Sequence, residues 1–410
     1  MHSILINKNI NTAHFLQKIL TLLFSVSTFL TLSPYFTWNL PYYFRFFCIL
    51  AILTFFIYTI HGGKLKKNGI WLSILFFIII FSLSLSSKNE TLFNGSVFFI
   101  LFFLCLPDFL KLNIFNVFKI IYAISLLPGL IYFFLILFGL GGNWEIILPL
   151  NPLKNTEGLY YRVYYGMVIL SNQIYSISTG EIFRFSAMYD EPGVVGTVSA
   201  LILAASGFNL KRKINKIILL SGILSFSLAF YISIFIFLIF KPKILLKITS
   251  ITTITIFISL SSLKNVSLIQ YYVFDRFSLI LNGFDKVDNR ISLCFQNYFS
   301  DFLNHKDTFW GLGYNAYTLT DCDVSSYITL IYDFGFFGFF LILIFYSLLS
   351  FSISNNFIKK DIFIRWLPMI LVYLANIYQR PTVFDPWSIV ILCGGLIYSI
   401  KDSRINSCSK

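Results

Sequence analysis

The sequence predicts an all-α polytopic membrane protein with about 11–12 transmembrane or re-entrant helices and two large loops on the outer face. Of its 410 residues, 57% are hydrophobic and 12% charged, and the mean hydropathy is +0.79. That balance excludes a soluble globular chain. Apolar runs of about 17 or more residues recur from end to end, each able to cross ~30 Å of hydrocarbon. The alternation a membrane β-barrel needs is missing.

In chain order, spans are expected near 15–33, 43–60, 70–86, 91–107, 120–140, 193–208, 244–263, 326–350, 364–380 and 387–400. The first run has no small-residue cleavage site and is followed at once by further spans. It reads as a retained helix rather than a signal peptide. Residues 1–410 are expected to form a single integral membrane domain.

The run 217–240 decides the topology. It lies between Lys211-Arg212-Lys213…Lys216 and Lys241-Pro242-Lys243…Lys247, two basic clusters of inner-side character. A hairpin of two short or re-entrant helices, turning near 225–227, keeps both clusters inside. Most of the 31 Lys and Arg then lie inside, with few of the 18 acids, so the net charge of +13 is an orientation signal. It needs no nucleic-acid partner. Both termini are expected inside, and the long loops 141–192 and 264–325 outside. Loops of that length are functional or disordered, and their Tyr, Trp and Phe argue against disorder.

The polar chemistry gathers in those loops. In 183–196, F-R-F-S-A-M-Y-D-E-P-G-V-V-G, Pro192 suits a first helical position and makes Glu191 the N-cap. The helix end favours the ionised carboxylate there. Arg184, Asp190 and Glu191 thus place fixed charges near the water–lipid boundary, the alternative being an ordinary capped loop. Residues 289–305 have helical periodicity, with Ile291, Phe295, Tyr298, Phe299 and Phe302 on one face. Arg290, Cys294, Asn297 and Asp301 line the opposite stripe, and His305 continues it. Such a helix lies along the membrane surface, its aromatic face in lipid or against the bundle. Arg380 stands in the last outer loop, where snorkelling to headgroups is the competing reading.

Cys48, Cys105 and Cys393 fall in spans and Cys408 in the inner tail. Cys294 and Cys322 share the second outer loop, where a disulfide and two free thiols both stand open. His2, His14, His61 and His305 are scattered without metal-ligand spacing.

R-F-S-A-M-Y-D-E-P-G ahead of a span, then N-R-I-S and W-G-L-G-Y-N ahead of S-S-Y-I-T-L-I-Y-D-F-G-F-F-G, resembles the O-antigen polymerase family. That family belongs to the superfamily of O-antigen ligases and polymerases. The similarity covers chiefly 180–345, and R-x-S-x-x-x-D-E-P-G is its most specific string. It implies a GT-C-like helical bundle with two periplasmic loops in a bacterial inner membrane. The implied activity is polymerisation of undecaprenyl-diphosphate-linked repeat units at the periplasmic face, a glycosyl transfer in lipopolysaccharide biosynthesis.

Carried over, Arg184, Arg290 and Arg380 would bind substrate, because arginine presents phosphate with a planar, permanently charged fork. Glu191, Asp190 and His305 are the candidate general bases for an acceptor hydroxyl. No metal and no cofactor is assigned, the arginines offsetting the diphosphate charge. The implied partners are the undecaprenyl-diphosphate-linked oligosaccharide, the lipid bilayer and a chain-length regulator. An O-antigen ligase acting on lipid A core is the runner-up, although ligases carry a His-Asn pair where this chain has Val324-Ser325. A lipid-linked-sugar flippase should instead show charges inside its spans, internal repeats and short outer loops.

Overall fold

The computed structural model describes residues 2–40, 42–85, 93–149, 158–177, 180–240, 291–322, 324–353 and 360–408. It shows a helical membrane protein. α1 (His2–Leu30) and α2 (Tyr42–Ile60) are joined by a loop containing the short turn Tyr35–Thr37. α3 (Lys67–Leu85) and α4 (Gly95–Cys105) form a second pair. α5 (Asp108–Leu137) has 30 residues and is therefore about 45 Å long, more than the hydrocarbon requires. Pro107, in extended conformation, starts it at once. Lys111 and Lys119, expected in an inner loop, consequently lie within α5 and are 1% and 3% exposed. Lys111 Nζ donates to Leu104 O at the end of α4, 2.8 Å away. A buried ammonium is tolerated where free helix-end carbonyls meet it.

The first long loop is folded, which qualifies the all-α expectation. β1 (Glu145–Ile147), β2 (Tyr161–Tyr164) and β3 (Met167–Leu170) make an antiparallel sheet in that order. β4 (Ile174–Ile177) and β5 (Gly180–Phe183) make a separate hairpin. Short β-branched and aromatic runs suit such half-buried ribbons. Beneath the larger sheet, Trp38, Tyr161, Val168 and Leu170 form a small apolar cluster.

α6 (Pro192–Ala205) is the most enclosed helix, with every residue buried except Val194. α7 (Lys213–Leu224) and α8 (Leu228–Ile239) have 12 residues each. At about 18 Å neither can cross a bilayer. Both pack on α6, and their turn at 225–227 lies against Gly196. Phe208, leading into α7, stacks on Phe237 near the end of α8 at 6.2 Å. The approach to α7 and the end of α8 are therefore neighbours.

α9 (Leu293–Leu303), α10 (Ile328–Ile353), α11 (Lys360–Gln379) and α12 (Pro386–Cys408) follow. The span expected at 244–263, loop residues 264–290 and Arg290 lie outside the described residues. α9 turns Phe295 and Phe302 onto Tyr332 of α10, with rings 5.2 and 5.1 Å apart, so the bundle takes this face. Tyr298, expected on that face, is 48% exposed. Cys294 and Cys322 are joined by a disulfide.

α10 is broken at Gly335, whose φ of 66° and ψ of 179° suit glycine alone. The W-G-L-G-Y-N turn enters the break. Gly313 N–H donates to Asp333 O at 2.8 Å and Phe337 N–H to Phe309 O at 3.1 Å. The Asp333 carboxylate accepts the N–H groups of Asn315 and Tyr317, each at 3.1 Å. The W-G-L-G-Y-N turn of the second loop and the D-F-G segment of α10 are thus one structural joint.

Among the described residues, α2, α3, α5 and α10 are long and apolar enough to cross a membrane, and five shorter apolar helices accompany them. Ile49, Leu53 and Phe56 on α2, with Ile74, Phe77 and Phe81 on α3, are exposed apolar side chains of the kind a membrane-spanning helix turns to lipid.

Candidate functional site

Segment 183–191 is threaded between the first loop and the short helices. Val168 N–H on β3 donates to Ala187 O at 2.8 Å, and Ser186 Oγ donates to Val168 O. Tyr35 N–H donates to Met188 O at 2.8 Å. On the other side Phe185 N–H donates to Leu224 O at 3.0 Å. Arg184 gives Nε to Ser225 O at 3.2 Å and Nη2 to Phe226 O at 3.3 Å. Its cation thus meets the carbonyls that close α7, where the helix dipole is negative.

Glu191 is the N-cap residue, with extended backbone and Pro192 at N1, but its carboxylate makes no cap bond. It turns instead to Arg380, whose Nη2 donates to Glu191 Oε2 at 2.5 Å. The two side chains are 20% (Arg380) and 37% (Glu191) exposed, so the pair stands at a boundary rather than in the core. The Arg380 Nε is buried without a hydrogen-bond partner among the described residues. Snorkelling is thereby replaced by a defined ion pair.

Asp190 accepts the Tyr161 hydroxyl at its carboxylate and again at its backbone oxygen, the latter at 3.1 Å. Tyr161 is fully buried beside Trp38, with ring centres 5.1 Å apart. Burial first, then the charges of Asp190 and Glu191, raise the phenol well above its usual range. Tyr161 therefore stays protonated and donates.

Two cavities share part of their walls, and Arg380 of the ion pair lines the smaller. One of 140 Å³ is lined by Thr31, Val194, Thr197, Arg380, Asp385 and Trp387 among others. One of 390 Å³ is lined by Trp38, Arg45, Asn94 and Ser96 among others, and Thr31 and Asp385 line both. Burial pushes the Asp385 carboxyl up to about 6, opposed by a hydrogen bond from the Trp387 side chain. α4, α6 and α12 all begin here, their positive ends toward the cavities. Asn94 caps α4 by accepting the Ser96 and Val97 N–H groups at 3.0 and 3.2 Å.

The structure joins Glu191, Asp190 and Arg380. It holds Arg184 on the hairpin carbonyls, and it leaves His305 apart. The His305 Nδ1 lies 3.3 Å from Asp307 N and 3.1 Å from Asp307 Oδ2, at the start of the turn Lys306–Thr308. Arg290 is outside the described residues.

Tyr161, Arg45, Asn94 and Asp385 escaped the sequence reading. Asp385-Pro386 repeats the arrangement of Glu191-Pro192, an acid and a proline opening an apolar helix, so the pattern was there to find. Arg45 sits in the first turn of α2, where the dipole disfavours a cation. The sequence also holds one D-x-D triplet, Asp321-Cys322-Asp323, a pattern that weighs against assigning no metal. Its Cys322 is tied in the disulfide, and no three His, Cys, Asp or Glu groups suited to a metal converge among the described residues.

Comparison of the chain with models of known protein families, with curated proteins and with solved structures gives no match.

Proposed function

We propose that the chain is an oligosaccharide repeat-unit polymerase, transferring a glycan from undecaprenyl diphosphate to a hydroxyl of a second lipid-linked unit at the outer face of a bacterial inner membrane. The observation that carries the reading is the setting of Arg380. Glu191 fixes one edge of its guanidinium while the buried Nε lacks a partner among the described residues, and Arg380 lines a cavity. A leaving diphosphate needs a cation already in place, and a preorganised guanidinium supplies it without reorganisation. The N-termini of α6 and α12 add positive potential at the same cavity. Asp190 and Tyr161 hold the Glu191 segment, and Arg184 acts on the site by anchoring it to the hairpin.

The lipopolysaccharide profile of a deletion strain tests this. Core carrying a single repeat unit is the expected pattern. Bare core would overturn the reading in favour of a ligase or flippase.

A further inference from the structure

Among the described residues, Asp385 is the one carboxylate lining both cavities. Its loop is tightly built: Thr382 N–H donates to Arg380 O at 2.7 Å, and Ser388 N–H to Asp385 O at 3.1 Å. From α10 the Tyr346 hydroxyl donates to Val383 O, and from α11 the Tyr373 hydroxyl pairs with Ser388 Oγ at 2.6 Å. Around Asp385, among the described residues, the charged or titratable groups are therefore Arg45 from α2, Arg380 with Glu191, and these two phenols. Asp385 itself receives a hydrogen bond from the Trp387 side chain, as Glu191 Oε2 is held by Arg380 and Asp190 accepts Tyr161. It is the place of Asp385 on both cavities that sets it apart.

Resting on the glycosyl-transfer reading above, we propose that Asp385 is the general base of the reaction. The wider cavity, under Arg45, Trp38 and Asn94, takes the acceptor sugar, and the narrower one, beside Arg380, takes the diphosphate. Asp385 accepts the proton of the acceptor hydroxyl as that oxygen bonds to the anomeric carbon. The anomeric carbon–oxygen bond breaks, its electron pair leaves on undecaprenyl diphosphate beside Arg380, and Asp385 returns the proton to water. The wider cavity suits a sugar, with an aromatic ring, an amide, hydroxyls and a cation on its walls. A carboxyl raised to about 6 is poised for the task near neutral pH.

The test uses full-length protein in liposomes with lipid-linked single repeat units extracted from the deletion strain. Wild-type protein should lengthen them, with a rate that falls about tenfold per pH unit below about 6, because the base must be ionised. Asp385→Asn should lower the rate by roughly 10²–10⁴-fold with repeat-unit binding unchanged, and Asp385→Glu should restore part of it. Ser96→Phe, filling the wider cavity, should raise the acceptor KM without weakening donor binding. A flat rate from pH 5 to 8, or an Asn variant within threefold of wild type, overturns the proposal while chain extension itself stands. If Asp385→Asn does not accumulate, the wild-type pH profile decides alone. Wild-type protein that fails to extend the units overturns the glycosyl-transfer reading and this proposal with it.

Discussion

Arg380 Nη2 and Glu191 Oε2 meet at 2.5 Å across 189 residues of sequence. The pair is only partly shielded, so its worth to stability is modest, about 1–3 kcal/mol. Its worth to activity is greater, because it aims the guanidinium. Arg380→Lys should keep most of the stability and lose at least tenfold in chain extension, since lysine cannot bond Glu191 and phosphate along two edges. Thermal melting in detergent and an extension assay, run together, separate the two effects.

Arg184 should behave differently. Its bonds to the Ser225 and Phe226 carbonyls are charge-assisted, so Arg184→Ala should cost about 1.5–3 kcal/mol and reduce the folded protein in membranes. Activity per folded molecule should fall less than in Arg380→Ala. Full accumulation of Arg184→Ala without activity would instead place Arg184 on the substrate.

At the joint between α10 and the second loop, a Cβ on Gly335 would lie 2.2 Å from Phe309 O, on a backbone that other residues rarely adopt. Gly335→Ala should therefore cost about 3 kcal/mol or more. Protease resistance of the 309–335 region is the readout.

The Cys294–Cys322 disulfide spans 28 residues. Loop-closure entropy puts its contribution near 3–4 kcal/mol. Serine at both positions should lower the melting temperature, and alkylation without reductant should leave both cysteines of the native protein unlabelled.

The stack of Phe208 on Phe237 puts the entry to α7 and the exit from α8 at one end. Reporter fusions after Asn209 and after Phe240 should therefore read the same side of the membrane. A fusion at Tyr165 should read the other.

The helices were legible because apolar runs and basic clusters are local signals, and the break at 225–227 followed from charge on both flanks. Glu191 was legible as an N-cap because Pro192 stands beside it, yet its carboxylate turned out to bind elsewhere. No periodicity links positions 191 and 380, so Arg380 read as a snorkelling cation. Tyr161 was hidden for a similar reason: a phenol in an aromatic-rich loop carries no mark of the Asp190 it will meet. Lys111 and Lys119 misled because charge reads as loop, whereas a lysine beside exposed helix-end carbonyls can stay inside α5.

The distance along the chain between Glu191 and Arg380 also orders the protein's biogenesis. At ordinary translation speeds, 189 residues take roughly 10–40 s to synthesise. Through that interval α6 is made but Arg380 is not yet present to meet Glu191. The Asp333 joint, by contrast, closes on residues made just before it. A chain interrupted before its last outer loop would carry the second-loop joint complete and the site at Glu191 without Arg380.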